Sequence, residues 1–148
     1  MTDIQAALGL SQLSRYEEIL KRRAEIVRRY DCFFKEECGF SPLAHWGESF
    51  DSSRHLYLLS LSSWDGEKRN EFIQKMGERG VSTNVHYKPL PMMSAYQNLG
   101  YSIGDYPRAY DYFIREVTLP LHTKLSDDDI SYVISSAKEV LGTMGAYL

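Results

Sequence analysis

Cysteine is scarce in this chain of 148 residues, with Cys32 and Cys38 the only two. Their spacing fits no common zinc or thioredoxin motif, so two reduced thiols in a cytosolic protein are expected. Histidine is nearly as rare, at 4 residues, and no H-x-x-x-H or C-x-x-C spacing occurs. A metal site is therefore not expected. No G-x-S-x-G elbow, P-loop or G-x-G-x-x-G is present, and the glycines are scattered as helix stops. No apolar run is long enough to span a bilayer, and no signal-peptide pattern is seen. Positive charge is not in excess. A net charge of −3 and a pI of about 5.8 argue against a nucleic-acid surface built on bulk charge. There is no repeat or low-complexity tract.

What remains is ordinary for a globular domain, or a large piece of one, with enough chain for a core. Tyrosine is the exception, at 11 residues. Its ring suits half-buried surfaces such as interfaces and pocket walls.

Residues 1–39 read as helical. Thr2 followed by Gln5 is a capping box, and Ile4, Ala7, Leu8 and Leu13 mark an apolar face. Ser14 followed by Glu17 is a second capping box, which predicts a break near Ser14. Beyond it Tyr16, Ile19, Leu20, Ile26, Val27, Tyr30, Phe33 and Phe34 keep helical spacing. Glu17–Lys21, Glu18–Arg22 and Glu25–Arg29 are i,i+4 pairs worth about 0.2–0.5 kcal/mol each, so the apolar face must supply the docking energy. Gly39 suits the position after the last helical turn. Residues 40–54 read as a loop and residues 55–61 as a strand buried on both faces. A helix over 67–79 ends at Gly80. Short helices follow around 92–99 and from Pro107, the latter with Tyr110, Phe113 and Ile114 facing inward. Val117, Leu119 and Leu121 form a strand stopped by Pro120. Ser126 caps a last helix whose inner face is Ile130, Val133, Ile134, Ala137, Val140 and Leu141. This order predicts an α+β fold, a small, three-stranded sheet with helices covering one face.

One stretch stands out, G-V-S-T-N-V-H-Y-K-P-L-P over residues 80–91. Val81, Thr83 and Val85 alternate with Ser82, Asn84 and His86, the period of a half-buried strand. Pro89 and Pro91 then remove backbone donors. His86 and Tyr87 fall where a strand ends and a stiff loop begins, which holds side chains firmly yet leaves them open to a ligand. The plainer reading is a surface histidine beside a packed tyrosine. His45 and His122 lie in loops without a nearby carboxylate in sequence, and His55 opens a strand.

Several segments together resemble the DegT/DnrJ/StrS-type sugar aminotransferases. M-T-D-I-Q-A-A-L-G-L-S-Q-L over residues 1–13 is close to a signature of that family. R-H-L-Y-L-L-S-L resembles its first small-domain strand, and G-V-S-T-N-V-H-Y-K-P-L resembles its G-I-x-T-x-x-H-Y-x-P-L segment. Asp105-Tyr106-Pro107 with Ala109 is similar to the family's Pro-x-Ala helix start. V-T-L-P-L-H followed by Leu125-Ser126 is similar to its closing S-L-P-L-x-P and helix. The resemblance covers essentially the whole chain.

The resemblance implies a part of a larger enzyme. It implies a long kinked N-terminal helical segment, residues 1–39, leading from a large domain. A C-terminal small domain of the fold-type-I aminotransferases follows over 40–148, with a mostly antiparallel three-stranded sheet covered by helices. Pyridoxal phosphate would belong to the intact parent, because the chain's lysines match no cofactor-lysine motif. None is expected bound to this chain, which alone should be inactive. The family's Asn-Tyr-Arg lead-in would fall before Met1, expected to be an internal methionine of a longer parent. His86 and Tyr87 match the family's His-Tyr pair, which approaches the sugar nucleotide, and both can hydrogen-bond diphosphate or sugar hydroxyls. Pro91 stands where many members carry a second histidine. His55 and Tyr57 border this region, with strand packing the expected role of both. The implied partners are a nucleotide-linked keto sugar, an amino donor, the large domain and a second copy in a homo-dimer, in the cytoplasm, with neither nucleic acid nor membrane. A second function class stays open: a free-standing binding, assembly or regulatory module derived from the same fold.

Overall fold

Helix α1, Asp3–Leu13, opens the computed structural model, which describes residues 1–37, 40–60 and 63–145. Cys38, Gly39 and Leu61, each given an expected role above, lie outside the described residues. The Thr2 capping box forms: the Gln5 amide donates to Thr2 Oγ1 at 3.4 Å, and the Thr2 amide donates to Gln5 Oε1 at 2.9 Å. No residue of α1 is buried.

The break falls where expected, at Ser14 and Arg15, but the second capping box does not make it. The Ser14 hydroxyl donates back to the Ser11 carbonyl at 3.0 Å and closes α1. Arg15 then occupies the N-cap of α2, Tyr16–Asp31, without a side-chain bond. Helix α2 turns Ala24, Ile26, Val27 and Tyr30 into the core. A π-type turn, Cys32–Glu37, continues it and buries Phe33 and Phe34. The arginines of α2 reach beyond their own helix. Arg22 donates to the Leu125 carbonyl at 2.7 Å and pairs with Asp127 at 2.9 Å, and Arg29 pairs with the same carboxylate at 3.1 Å.

The sheet has three antiparallel strands in the order β1 (Ser41–Pro42), β4 (Tyr57–Ser60) and β5 (Glu116–Leu119). A two-strand hairpin, β2 (Trp46–Gly47) with β3 (Phe50–Asp51), stands apart. Both β1 and the hairpin come from the stretch expected to be loop. The strand expected over 81–85 contributes a single bridge, Asn84 to Thr118. Strand β4 is shorter than expected, with His55 exposed ahead of it. Strand β5 begins one residue earlier than expected, at Glu116, and stops before Pro120, which has no amide hydrogen to continue the ladder.

Helix α3 (Gly66–Glu78) is capped by Asp65, which accepts from the Lys68 amide at 2.9 Å. It buries Arg69, Phe72 and Met76, and Gly80 leaves it at φ 74°. Two short helices, α4 (Ser94–Gln97) and α5 (Pro107–Arg115), bury no residue completely. In α5, Phe113 and Ile114 are half-buried, but Tyr110 points outward at 43% exposure. The last helix, α6 (Asp127–Thr143), has a complete capping box between Ser126 and Asp129. Its face of Ile130, Val133, Ala137, Val140 and Leu141 closes the core on Tyr57, Leu59, Phe72, Met76, Val117 and Leu119. Each fully buried side chain of this size contributes about 1.5–3 kcal/mol, so this shared core holds α2, α3, α6 and the sheet together.

Candidate functional site

His86 and Tyr87 sit at a corner beside strand β5. The corner is tied to that strand at two points. Asn84 exchanges both backbone hydrogen bonds with Thr118, at 3.2 and 2.7 Å. Two residues on, the His86 amide donates to the Glu116 side chain, at 3.0 Å from Oε2. Chain and strand then part. The His86–Tyr87 peptide is cis, and the two rings meet edge to face at 4.7 Å. Tyr87 is 69% exposed, whereas His86 is half-buried with Nδ1 enclosed and without a hydrogen-bond partner. One ring nitrogen is thus shielded, and the phenol stands free to meet a ligand.

Sequence reasoning passed over Glu116. Its carboxylate is 1% exposed, accepts from His86 through one oxygen and from the Thr118 hydroxyl through the other at 2.5 Å. Burial pushes its carboxyl up, while these two donors and the Arg69 guanidinium pull it back. Arg69 is itself buried, donating to the Phe113 carbonyl at 2.8 Å and lying over the Phe113 ring. The available signal was R-E-V-T-L-P, where Glu116 and Thr118 alternate with Val117 and Leu119. That spacing puts carboxylate and hydroxyl on one face of the strand.

The loop leaving Tyr87 runs into an apolar cleft of about 390 Å³ lined by Pro89, Leu90, Pro91, Tyr96, Tyr101, Tyr106 and Ala109. Tyr96 and Tyr101 meet edge to face at 6.2 Å on its wall. Three of the chain's 11 tyrosines line it.

The other histidines lie elsewhere. His55 and His122 are exposed. His45 is buried against Tyr57, its Nδ1 2.8 Å from Ser52 Oγ, and burial pushes its imidazole down. Tyr57 is fully buried and donates its hydroxyl to Asp31 at 2.9 Å, which is core packing as expected. Among the described residues no three His, Cys, Asp or Glu side chains are grouped to hold a metal ion, and no helix is long and apolar enough to cross a membrane.

Nor do the lysines fit an imine anchor. Such a lysine needs an enclosed pocket that favours its neutral form. Lys21, Lys35, Lys68, Lys88, Lys124 and Lys138 are exposed, and Lys75 is half-buried, 3.5 Å from Glu71 on the same helix. The residues present therefore do not fit the aldehyde end of pyridoxal phosphate.

The fold recurs in known proteins. The spore coat polysaccharide biosynthesis protein SpsC of Bacillus subtilis is 36% identical over 148 residues, covering 95% of this chain and 37% of that protein. A UDP-4-amino-4,6-dideoxy-N-acetyl-beta-L-altrosamine transaminase of Helicobacter pylori is 31% identical over 136 residues, covering 92% of this chain and 36% of its own. Among solved structures, the PMP form of the candidate sugar aminotransferase Spr1654 of Streptococcus pneumoniae superposes with a TM-score of 0.92. It is 50% identical, over 97% of this chain and 36% of that one. The chain thus spans little more than a third of the length of the relatives it matches. The sequence profile of one family aligns with residues 1–138, from the exposed first helix through the His86–Tyr87 corner and β5 into α6. By that match, and by the fold it shares with Spr1654, this chain belongs to the DegT/DnrJ/EryC1/StrS aminotransferase family.

Proposed function

We propose that this chain is the C-terminal portion of a pyridoxal-phosphate-dependent aminotransferase that moves an amino group onto a nucleotide-linked keto sugar. The observation that carries the reading is the family match over residues 1–138, a span that includes the H-Y-K-P-L corner. The Helicobacter pylori relative is named for a UDP-linked amino sugar, and a Saccharopolyspora spinosa relative for a dTDP-linked dehydro sugar, which is a ketone. The nucleotide-linked sugar is therefore the substrate class, and a second copy of the whole enzyme and an amino donor are the remaining partners. A diphosphate is too strongly charged to cross a bilayer unaided, and this reading keeps enzyme and substrate together in the cytoplasm.

In this reading residues 1–39 link the large domain to the small domain over 40–148. The cofactor, when bound, supplies the electron sink of amino transfer, and it belongs to the part of the enzyme outside this chain. What these residues contribute is substrate binding. The exposed Tyr87 hydroxyl and the outer nitrogen of His86 are donors for a diphosphate or a sugar hydroxyl. Two neutral hydrogen bonds of about 0.5–1.5 kcal/mol each do not offset an association cost of at least about 4 kcal/mol. The isolated chain should bind a nucleotide sugar no better than millimolar and should not transaminate.

Cofactor titration of this chain, with borohydride trapping and mass analysis, tests the assignment. We expect scattered, substoichiometric adducts. One stoichiometric adduct on a single lysine, with turnover of a keto sugar, would overturn it. In the whole enzyme, His86→Ala should weaken nucleotide-sugar binding while leaving the cofactor's absorbance in place.

A further inference from the structure

The expected strand over 81–85 stops after one bridge, and the register shows what stops it. Counting along the antiparallel pair from Asn84 and Thr118, His86 falls opposite Glu116. Alternate residues of β5 present their backbone groups to the same edge, so the Glu116 carbonyl faces the side on which His86 lies. In a continued ladder the His86 amide would donate to that carbonyl. Instead Arg69 reaches it, at 3.5 Å, and the His86 amide donates to the Glu116 carboxylate at 3.0 Å. A side chain has replaced the main chain as acceptor. The carboxylate stands further from the strand axis than the carbonyl, so the chain leaves the sheet at His86 with its amide still satisfied.

We propose that Glu116 is a positioning residue for substrate binding, ending the ladder between the 81–86 segment and β5 at His86 and fixing the direction in which His86 and Tyr87 are presented. Both carboxylate oxygens already accept from this chain's own donors, and the residue is 1% exposed, so it does not touch the substrate. It acts through the His86 amide. Thr118 holds the second oxygen and thereby sets the plane of the carboxylate. Arg69, buried between α3 and the Phe113 ring, occupies the vacated carbonyl and keeps the ladder from closing. Burial of an ionised carboxylate is costly unless its donors are in place, and here each oxygen has one. The geometric claim stands on this chain alone, and only its consequence for binding rests on the aminotransferase reading.

The test therefore has two arms. In the 148-residue chain, Glu116→Gln should move the His86 amide resonance upfield in a proton–nitrogen NMR spectrum, because a charged acceptor becomes a neutral one. Thr118→Val, which keeps the β-branched shape and frees one oxygen, should shift the same resonance by a smaller amount. It decides the matter if Glu116→Gln does not fold. An unmoved His86 amide in the folded variants overturns the proposal. In the whole enzyme, displacing the His86 and Tyr87 donors should raise the nucleotide-sugar KM by about fivefold while changing kcat by less than about twofold. Equal falls in kcat and kcat/KM, or no change in KM, would likewise overturn it. A wild-type enzyme without transaminase activity would refute the aminotransferase reading instead, with the amide resonance still deciding the geometry.

Discussion

Tyr57 shows how one residue ties strand β4 to helix α2. It is fully buried, its ring lies 4.9 Å from Tyr30, and its hydroxyl reaches Asp31 at the end of α2. Burial and the neighbouring carboxylate push its phenol far up, so it stays protonated and donates at any working pH. Tyr57→Phe keeps the ring and loses a bond to a charged acceptor, worth about 1.5–3 kcal/mol. The urea midpoint should fall accordingly, and an unchanged midpoint would show that Lys35 alone satisfies Asp31. His45 governs a pH effect. Burial is the main cause holding its imidazole below the ordinary 6.5, helped by Arg54 and Lys35 and opposed by Asp31. The unfolded chain thus takes up a proton on this ring before the folded chain does. Its contribution is constant above about pH 6.5 and diminishes as pH falls below that value. Between pH 7.5 and 5.5, His45→Gln should lose less stability than the wild-type chain in paired denaturation curves. Parallel losses would refute a role for His45.

At the scale of elements, most helix limits were legible because capping is local. Thr2 with Gln5, and Ser126 with Asp129, form the boxes their spacing implies. Ser126→Ala removes one of these and should lower stability by about 0.5–2 kcal/mol, read as a lower melting temperature. Retention of the full melting temperature would mean that Arg22 and Arg29, clamped on Asp127, hold this helix start unaided. Ser14 was misread because a serine near a helix junction can close one helix or open the next. Its hydroxyl turned backward. The 81–85 segment had the right alternation for a strand, but alternation reports burial and not pairing. Val81 is buried, and Thr83 and Val85 are half-buried, without a ladder.

For the whole molecule, the unevenness of burial is the main consequence. Helix α1 leaves Ile4, Leu8, Leu10 and Leu13 between 63% and 75% exposed, while α2 and α6 are anchored in the core. A helix of 11 residues that buries no side chain is marginal in water. Its amides should exchange with solvent well before those of α6. Apolar groups this exposed also favour covering one another. Sedimentation of the isolated chain should show association that grows with concentration, and an Ile4→Glu, Leu8→Glu double variant should return it to a monomer. A wild-type monomer at high concentration with α1 protected from exchange would contradict this.

The sequence by itself determined the α+β class, the break near Ser14, the helix starts and the position of the His86–Tyr87 corner. Each depends on short-range periodicity, capping or proline, which act within a few residues. The family likeness was also legible, since its motifs are contiguous. Only tertiary structure decided which segments paired and which residues met. The strand β1 and the hairpin of β2 and β3 are two residues long per strand, too short to leave a period in the sequence. Glu116 and His86 lie 30 residues apart, and the carboxylate finds the amide because β5 carries it there. Its burial is tolerated because Thr118, Arg69 and the His86 amide converge on it, and no local pattern encodes that convergence.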